Sequence, residues 1–177
     1  MQNSPKKKLV LGAVNCHDLD AVKVDIDSAY NPDVIHDLNQ VPWPFEDSQF
    51  SEVICHHIIE HLNELPPVMR ELHRVCSGSG KIYIEVPHYS SCFANAPEHK
   101  MHFSYFSLDS YTAEAEKSWM VVEKKFRLLN KRITFHRAYR RYQLHRLINR
   151  FPRSYERFWA YIIPAENIVF QLQPIKK

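Results

Sequence analysis

The chain has 177 residues, 45% of them apolar and 24% charged, with a formal net charge of +3. That is an ordinary globular composition, long enough for one domain with a buried core, and it excludes a disordered or fibrous polymer. Only three glycines, and four cysteines at 16, 55, 76 and 92 with no C-x-x-C pair, exclude a glycine-rich repeat and a disulfide-stapled scaffold.

Lys6, Lys7 and Lys8 precede the apolar run 9–14, but six residues are too few for a secretory core segment. No stretch approaches the roughly 18 apolar residues of a membrane span. A cytoplasmic protein with reduced thiols and no membrane partner is expected. Charge is divided unevenly: residues 1–116 carry a net −9, residues 117–157 a net +11, and residues 158–177 a net +1.

Residues 9–14 read as a strand buried on both faces. Residues 22–26 alternate and end among Asp25 and Asp27, and Val34-Ile35 makes a short third strand before Asp37. Pro42-Trp43-Pro44 forces an extended, non-helical stretch. Residues 52–57, with the β-branched pair Val53-Ile54, form a fourth strand. Asn63 is placed to cap a helix that holds Pro66 and Pro67 in its first turn and buries Val68, Met69, Leu72 and Val75. Gly78 and Gly80 stop that helix before a fifth strand over 81–86.

Residues 126–135 mix apolar and basic side chains, a strand with one wet face. Residues 140–150 read as a helix with Leu144, Leu147 and Ile148 inward. Pro152 breaks it, and Ser154 caps a second helix with Tyr155, Phe158, Trp159 and Ile162 on one side. Residues 167–172 are the last strand. The pattern predicts an α/β fold: a Rossmann-like, mostly parallel sheet with helices on both faces and a terminal antiparallel strand pair. No linker interrupts residues 1–177, so a single domain is expected, with 8–90 as a cofactor-binding half and 91–177 as a substrate-side half bearing a basic helical insertion.

Ligands of parallel α/β sheets bind at the carboxyl ends of the strands. Those ends carry Gly12 and Ala13, then Asp25 and Ile26, then Asp37 and Leu38, then His56 and His57, then His88. An acid closing the second strand can accept both hydrogen bonds of a ribose diol. Each acid alone is equally well a strand-end turn residue. Acids after both the second and the third strand together point to a nucleoside site.

Leu9-Val10-Leu11-Gly12, Val24-Asp25-Ile26-Asp27, the stretch Asp33-Val34-Ile35-His36-Asp37-Leu38 and the stretch Pro42-Trp43-Pro44-Phe45-Glu46-Asp47-Ser48-Gln49-Phe50 resemble a class I S-adenosylmethionine-dependent methyltransferase. The likeness continues through His56-His57-Ile58-Ile59-Glu60-His61-Leu62 and Arg70-Glu71-Leu72-His73-Arg74-Val75 to residues 82–88. It implies S-adenosylmethionine as cofactor and methyl transfer to an acceptor for which no motif stands. Gly12 and Ala13 would pass the methionine part, and Asp25, followed by Ile26, would hold the ribose hydroxyls. Asp37 would meet the adenine amino group with Leu38 packed by the ring, and His56 would line the cofactor. The family's second loop glycine is Val14 here.

Methyl transfer to a sulfonium's acceptor needs positioning above all, and a base only where the acceptor arrives protonated. His88, just past the fifth strand, is the expected base; the competing reading is a loop histidine whose hydrogen bonds are satisfied. His99-Lys100-Met101-His102-Phe103 reads as a lid. His57-Ile58-Ile59-Glu60-His61 also matches the H-x-x-E-H zinc-protease pattern, which needs both histidines on one helix face. Because His57 continues a strand, no metal is expected. The other rival is a methyltransferase-like scaffold without turnover. The basic segment 117–157 fits an anionic small-molecule acceptor, a nucleic-acid backbone, or the acidic half of a second copy in an oligomer. A small-molecule or anionic acceptor is the preferred partner.

Overall fold

Leu9, Val10 and Leu11 are all buried because β1 (Lys7–Leu11) lies inside a seven-stranded sheet rather than at its rim. The computed structural model describes residues 7–13, 20–114, 124–140 and 143–176. The other strands are β2 (Ala21–Asp25), β3 (Val34–Ile35), β4 (Phe50–His56), β5 (Cys76–Pro87), β6 (Phe126–Ile133) and β7 (Asn167–Pro174), in the spatial order β3-β2-β1-β4-β5-β7-β6. The first five pair in parallel. β7 runs antiparallel to both β5 and β6, giving the expected terminal pair. The order reverses at β1, between β2 and β4, the kind of crevice where such sheets bind ligands.

β5 shows how the sheet is dressed. Ile82, Ile84 and Val86 are buried, whereas Lys81, Tyr83 and Glu85 on the other side are more open. The buried set shares one core with Val68, Met69, Leu72 and Val75 of α1 (Leu65–Val75) and with Phe103, Leu108 and Tyr111. A second, smaller cluster gathers Ile133, Phe135, Ile148, Tyr155, Ala160 and Ala165. Among the described residues, α1 is the one α-helical crossover between parallel strands; a 3-10 turn and a loop carry β2 to β3, and a loop carries β3 to β4.

Several local expectations are corrected. Asn63 does not cap α1: the cap position is Glu64, and Asn63 instead accepts from Lys100 Nζ at 2.7 Å and donates its N–H to Asn39. Pro66 and Pro67 do sit in the first turn, where missing N–H groups cost nothing. Gly78 and Gly80 do not terminate a helix. They belong to β5, which begins directly at Cys76. A Cβ on Gly80 would stand 2.7 Å from Cys76 Sγ and 2.8 Å from the Ser51 carbonyl oxygen, so glycine is required by the close approach of β4. The register of that pair shifts between Phe50 and Glu52.

The basic helix divides into Arg137–Arg140 and α2 (Leu144–Arg150), with Gln143 at φ +53° between them. Ile148 is buried, but Leu147 points outward. Past Pro152 the chain forms a wide-pitched turn at Tyr155–Trp159 that buries Tyr155 alone; Phe158, Trp159 and Ile162 are exposed. The spacing predicts a regular helix, whereas a π-turn closed by the Ala160 N–H to the Tyr155 carbonyl holds more residues per turn and rotates those side chains off the inward face.

With no helix between β3 and β4, the Pro42–Asp47 loop is held by side chains of α1. Glu71 Oε2 accepts from the Trp43 N–H at 2.7 Å and from Arg74 Nη2 at 2.6 Å. Arg74 also donates to the carbonyls of Phe45 and Trp43 and to Asp47 Oδ1. Trp43, 2% exposed, plugs the core while its indole N–H donates to the Leu38 carbonyl. Burial acts to raise the Glu71 carboxyl, but the bonds from Arg74 and Trp43 overcome it and hold that carboxyl below its usual range.

Arg74→Ala leaves Glu71 uncompensated and should cost about 3 kcal/mol, the low end for a buried pair because Arg74 is partly exposed. Trp43→Ala should cost about 3–5 kcal/mol. Urea midpoints at unchanged m-value measure both, and an Arg74→Ala loss below about 1 kcal/mol would show that the loop is held by packing alone.

Candidate functional site

The carboxyl ends of β1, β2 and β3 form a ledge. Gly12 follows β1 at φ +83°, a left-handed conformation that favours glycine, and its N–H donates to the Val24 carbonyl. Ala13 N–H donates to Asp25 Oδ2 at 2.7 Å, and Asp27 N–H donates to Asp25 Oδ1 at 3.0 Å. Asp25 thus splints the loops after β1 and β2, with one hydrogen bond on each oxygen and lone pairs left over. Ile26, next to it, is 66% exposed.

After β3, Asp37 Oδ1 accepts both the N–H and the side-chain amide of Asn39, and its Oδ2 takes no hydrogen bond among the described residues. Leu38 is buried in the main core, its side chain directed into the protein. Val14 lies outside the described residues.

The end of β4 turns sharply. His57 has φ +51°, and Ile59–His61 is a single 3-10 turn. The H-x-x-E-H stretch is therefore not an α-helix, and the face shared by residues four apart, which the zinc-protease reading requires, is not formed. Ile58 meets the first loop: a Cβ built on Gly12 would touch its Cδ1 at 3.5 Å. The turn after β4 thus stands directly beside the loop after β1.

Above β4 and β5 opens a cavity of about 490 Å³. His57, Glu60, Glu98, His99, Glu166 and Asn167 supply its polar wall, and Pro87, Phe93 and Ala96 its apolar one. Glu60 is 1% exposed. Its Oε1 meets His57 Nδ1 at 3.1 Å, and its backbone carbonyl accepts the N–H groups of Lys100 and Met101. The hydrogen bond to Glu60 raises the His57 imidazole above its ordinary value against the opposing effect of burial. His56 is exposed at the rim, its Nε2 3.7 Å from Glu85 Oε2. The expected lid is pinned at two points, on Glu60 through Lys100 and Met101, and on β5 through the bridge of Phe103 to His88.

His88 does not face this cavity. It is 0% exposed, with Nδ1 2.8 Å from Ser90 Oγ and Nε2 3.2 Å from Glu156 Oε1. Glu156 Oε1 also accepts the Tyr105 N–H at 2.5 Å, and the Tyr89 hydroxyl donates to the Glu156 carbonyl. Burial would raise the Glu156 carboxyl, but the bonds from His88 and Tyr105 prevail and lower it. Both imidazole nitrogens are committed, in a hub that ties the end of β5 to the turn at Tyr155–Trp159. The sequence signalled neither Glu156 nor Glu60 as a buried carboxylate.

A family model described as a methyltransferase domain matches residues 7–84. No curated protein matches the chain in sequence. A solved S-adenosylmethionine-dependent methyltransferase from Archaeoglobus fulgidus is similar at 14% identity and TM-score 0.59, covering 96% of this chain and 86% of its own. The Burkholderia thailandensis 1,6-didemethyltoxoflavin-N1-methyltransferase is similar at 11% identity and TM-score 0.54, covering 97% and 72%. The [4+2]-cyclase SpnF is equally similar in shape, at 10% identity and TM-score 0.59, covering 96% and 75%. At these identities the likeness is one of fold.

Because Glu156 is held below its ordinary value of 4.5, the stability it contributes is complete above that pH and falls as pH drops through the lower folded value. Glu156→Gln should cost about 1–3 kcal/mol at neutral pH and flatten the acid limb of the stability curve, read as urea midpoints between pH 3 and 7. An unchanged acid limb would mean that other carboxylates govern it. The strand order, the loop after β1 and the matched segment agree: residues 7–84 match the methyltransferase domain model, and the chain has the fold of the solved S-adenosylmethionine-dependent methyltransferases it is similar to.

Proposed function

We propose that the chain binds S-adenosylmethionine on the ledge after β1, β2 and β3 and methylates a small acceptor held in the cavity over β4 and β5. The closeness of Ile58 to Gly12 carries the reading, because it sets the turn that supplies His57 and Glu60 to the cavity beside the loop after β1. The donor set on the ledge fits the cofactor. Asp25 keeps lone pairs for a ribose diol, exposed Ile26 offers an apolar surface beside it, and Asp37 Oδ2 can accept an exocyclic amine. The bound cofactor supplies an electrophilic methyl group on a sulfonium. The protein's part is to bring the acceptor into line and to exclude water.

The cavity wall carries Glu60, Glu98 and Glu166, which favours a neutral or cationic acceptor over an anionic one. His88, buried and doubly hydrogen-bonded, suits a positioning role at the end of β5 better than proton transfer to the acceptor. The basic segment is partly spent within the protein: Lys131 Nζ reaches Asp109 Oδ1 at 2.5 Å and lies 4.1 Å over the Tyr105 ring. Among the described residues no helix is long and apolar enough to cross a membrane.

A fold without methyl transfer is the second reading, and the cyclase of equal structural similarity is what favours it. Titration calorimetry with S-adenosylhomocysteine separates the two. Binding is expected, with Asp25→Asn and Asp37→Ala each weakening it about tenfold or more, the value of a hydrogen bond to a charged group. No heat at millimolar ligand, or affinity unmoved by both substitutions, would overturn the proposal.

A further inference from the structure

Glu60 presents an unsolved account at the cavity wall. Its carboxylate is buried, and while Oε1 is met by His57, Oε2 has no hydrogen-bond partner among the described residues. A buried carboxylate oxygen without a donor is costly, so something must complete it. The Nδ1 of His99, also buried, has no partner either. Glu60, His61 and His99 each offer one ligand atom, all within 4.8 Å of one another, and the rings of His61 and His99 meet edge to face at 4.6 Å. No hydrogen bond joins the three side chains.

We propose that Glu60, His61 and His99 bind a divalent transition-metal cation of the zinc class, with an open coordination position facing the cavity. Two histidine nitrogens and one carboxylate are a ligand set that such a cation takes with a fourth position free. Metal-bound ligands at about 2 Å stand roughly 3.3 Å apart in a tetrahedron, so the three groups would close by at most about 1.5 Å on binding.

The surroundings already do what metal sites require of them. His61 Nδ1 lies 3.3 Å from the Glu98 carbonyl; donating its proton there leaves the Nε2 lone pair available for a ligand. His57 holds Glu60 Oε1 and so fixes the carboxylate's orientation. The backbone bonds from Lys100 and Met101 to the Glu60 carbonyl anchor the segment carrying His99 beside it. Glu98 and Glu166 add negative charge to the same wall. The nearest lysine, Lys100, is turned away onto Asn63.

The neighbouring cluster of His56, His57 and Glu85 is the weaker competitor. There His57 Nδ1 is spent on Glu60, Glu85 Oε1 accepts from Asn167, and His56 is exposed. The zinc-protease arrangement is different again, since it would recruit His57 and His61 from one helix face. The metal site departs from the sequence-level expectation of no metal because His99 lies 38 positions from His61, beyond any short spacing pattern.

Binding of the metal stands on the geometry alone. Its use, to hold a neutral thiol or hydroxyl of the acceptor at the open position, rests on the proposed function. The test therefore reads metal without cofactor. The full chain is stripped with chelator, titrated with zinc alone by calorimetry, and assayed for retained metal after gel filtration. One equivalent is expected, together with an upward shift of the melting temperature. His61→Ala, His99→Ala and Glu60→Gln should each weaken binding by about a hundredfold or more, and His57→Ala by about 10–100-fold as the loss of a supporting hydrogen bond. His56→Ala should leave it unchanged. Cobalt substitution adds a spectrum that reports the coordination geometry, and circular dichroism of each metal-free variant confirms that it folds. Absence of stoichiometric zinc would overturn the proposal. So would binding lost in His56→Ala but kept in folded His99→Ala, which would move the metal to the other cluster. Neither result bears on S-adenosylhomocysteine affinity, so this inference can fail while the proposed function stands.

Discussion

The ion pair between Glu71 and Arg74 is the constraint on which the cofactor half depends. A parallel sheet normally covers each crossover with a helix, and here β3 returns to β4 through a loop. A loop lacks internal hydrogen bonds, so its backbone groups need partners from elsewhere. Glu71 and Arg74, one turn apart on α1, provide them to Trp43 and Phe45 and close on Asp47. The indole N–H of Trp43 then fixes the Leu38 carbonyl, one residue after Asp37. The position of the proposed adenine acceptor is thus set by a charge pair on the neighbouring helix.

The parts of the fold legible in the sequence are those written by near-neighbour periodicity. The first five strands and α1 follow from apolar runs and a single buried stripe, and the structure alters mainly their ends. Gly80 was misread because a glycine after a helical pattern looks like a stop signal. Its real constraint is steric and long-range, the approach of Ser51 and Cys76. Phe158, Trp159 and Ile162 were misread for a different reason: three- and four-residue spacing assumes a regular helix, and this turn is wider. Of the candidate site, the strand-end residues Gly12, Asp25 and Asp37 could be found because topology alone places strand ends together. Glu60 and Glu156 could not, because their burial depends on segments 40 to 70 residues away.

The histidines divide by what their nitrogens do. His88 has both nitrogens bonded and no exposure, and it joins elements that would otherwise part. His57, His61 and His99 stand around one carboxylate, each with a nitrogen uncommitted to hydrogen bonds among the described residues. A satisfied polar network specifies structure, and an incomplete one at a cavity wall is where a ligand gains most from binding. The contrast separates open histidine nitrogens on and beside the turn after β4 from a satisfied histidine at the end of β5, although the sequence marks His88 as prominently as the others.

The acidic and basic halves of the chain complete the same division. The excess of carboxylates before residue 117 includes Asp37 and Glu60, each with an oxygen that takes no hydrogen bond among the described residues, and Asp25, which keeps lone pairs on both of its bonded oxygens. Of the later cations, Lys131 is drawn back to Asp109 and the Tyr105 ring, while Arg127, Arg150 and Arg153 are exposed. A net charge of +3 therefore conceals an acidic first part of the chain and a basic later part. Long-range attraction falls off over about 8 Å at physiological ionic strength. For the proposed acceptor, the charges that count are therefore those lining the cavity, Glu60, Glu98 and Glu166.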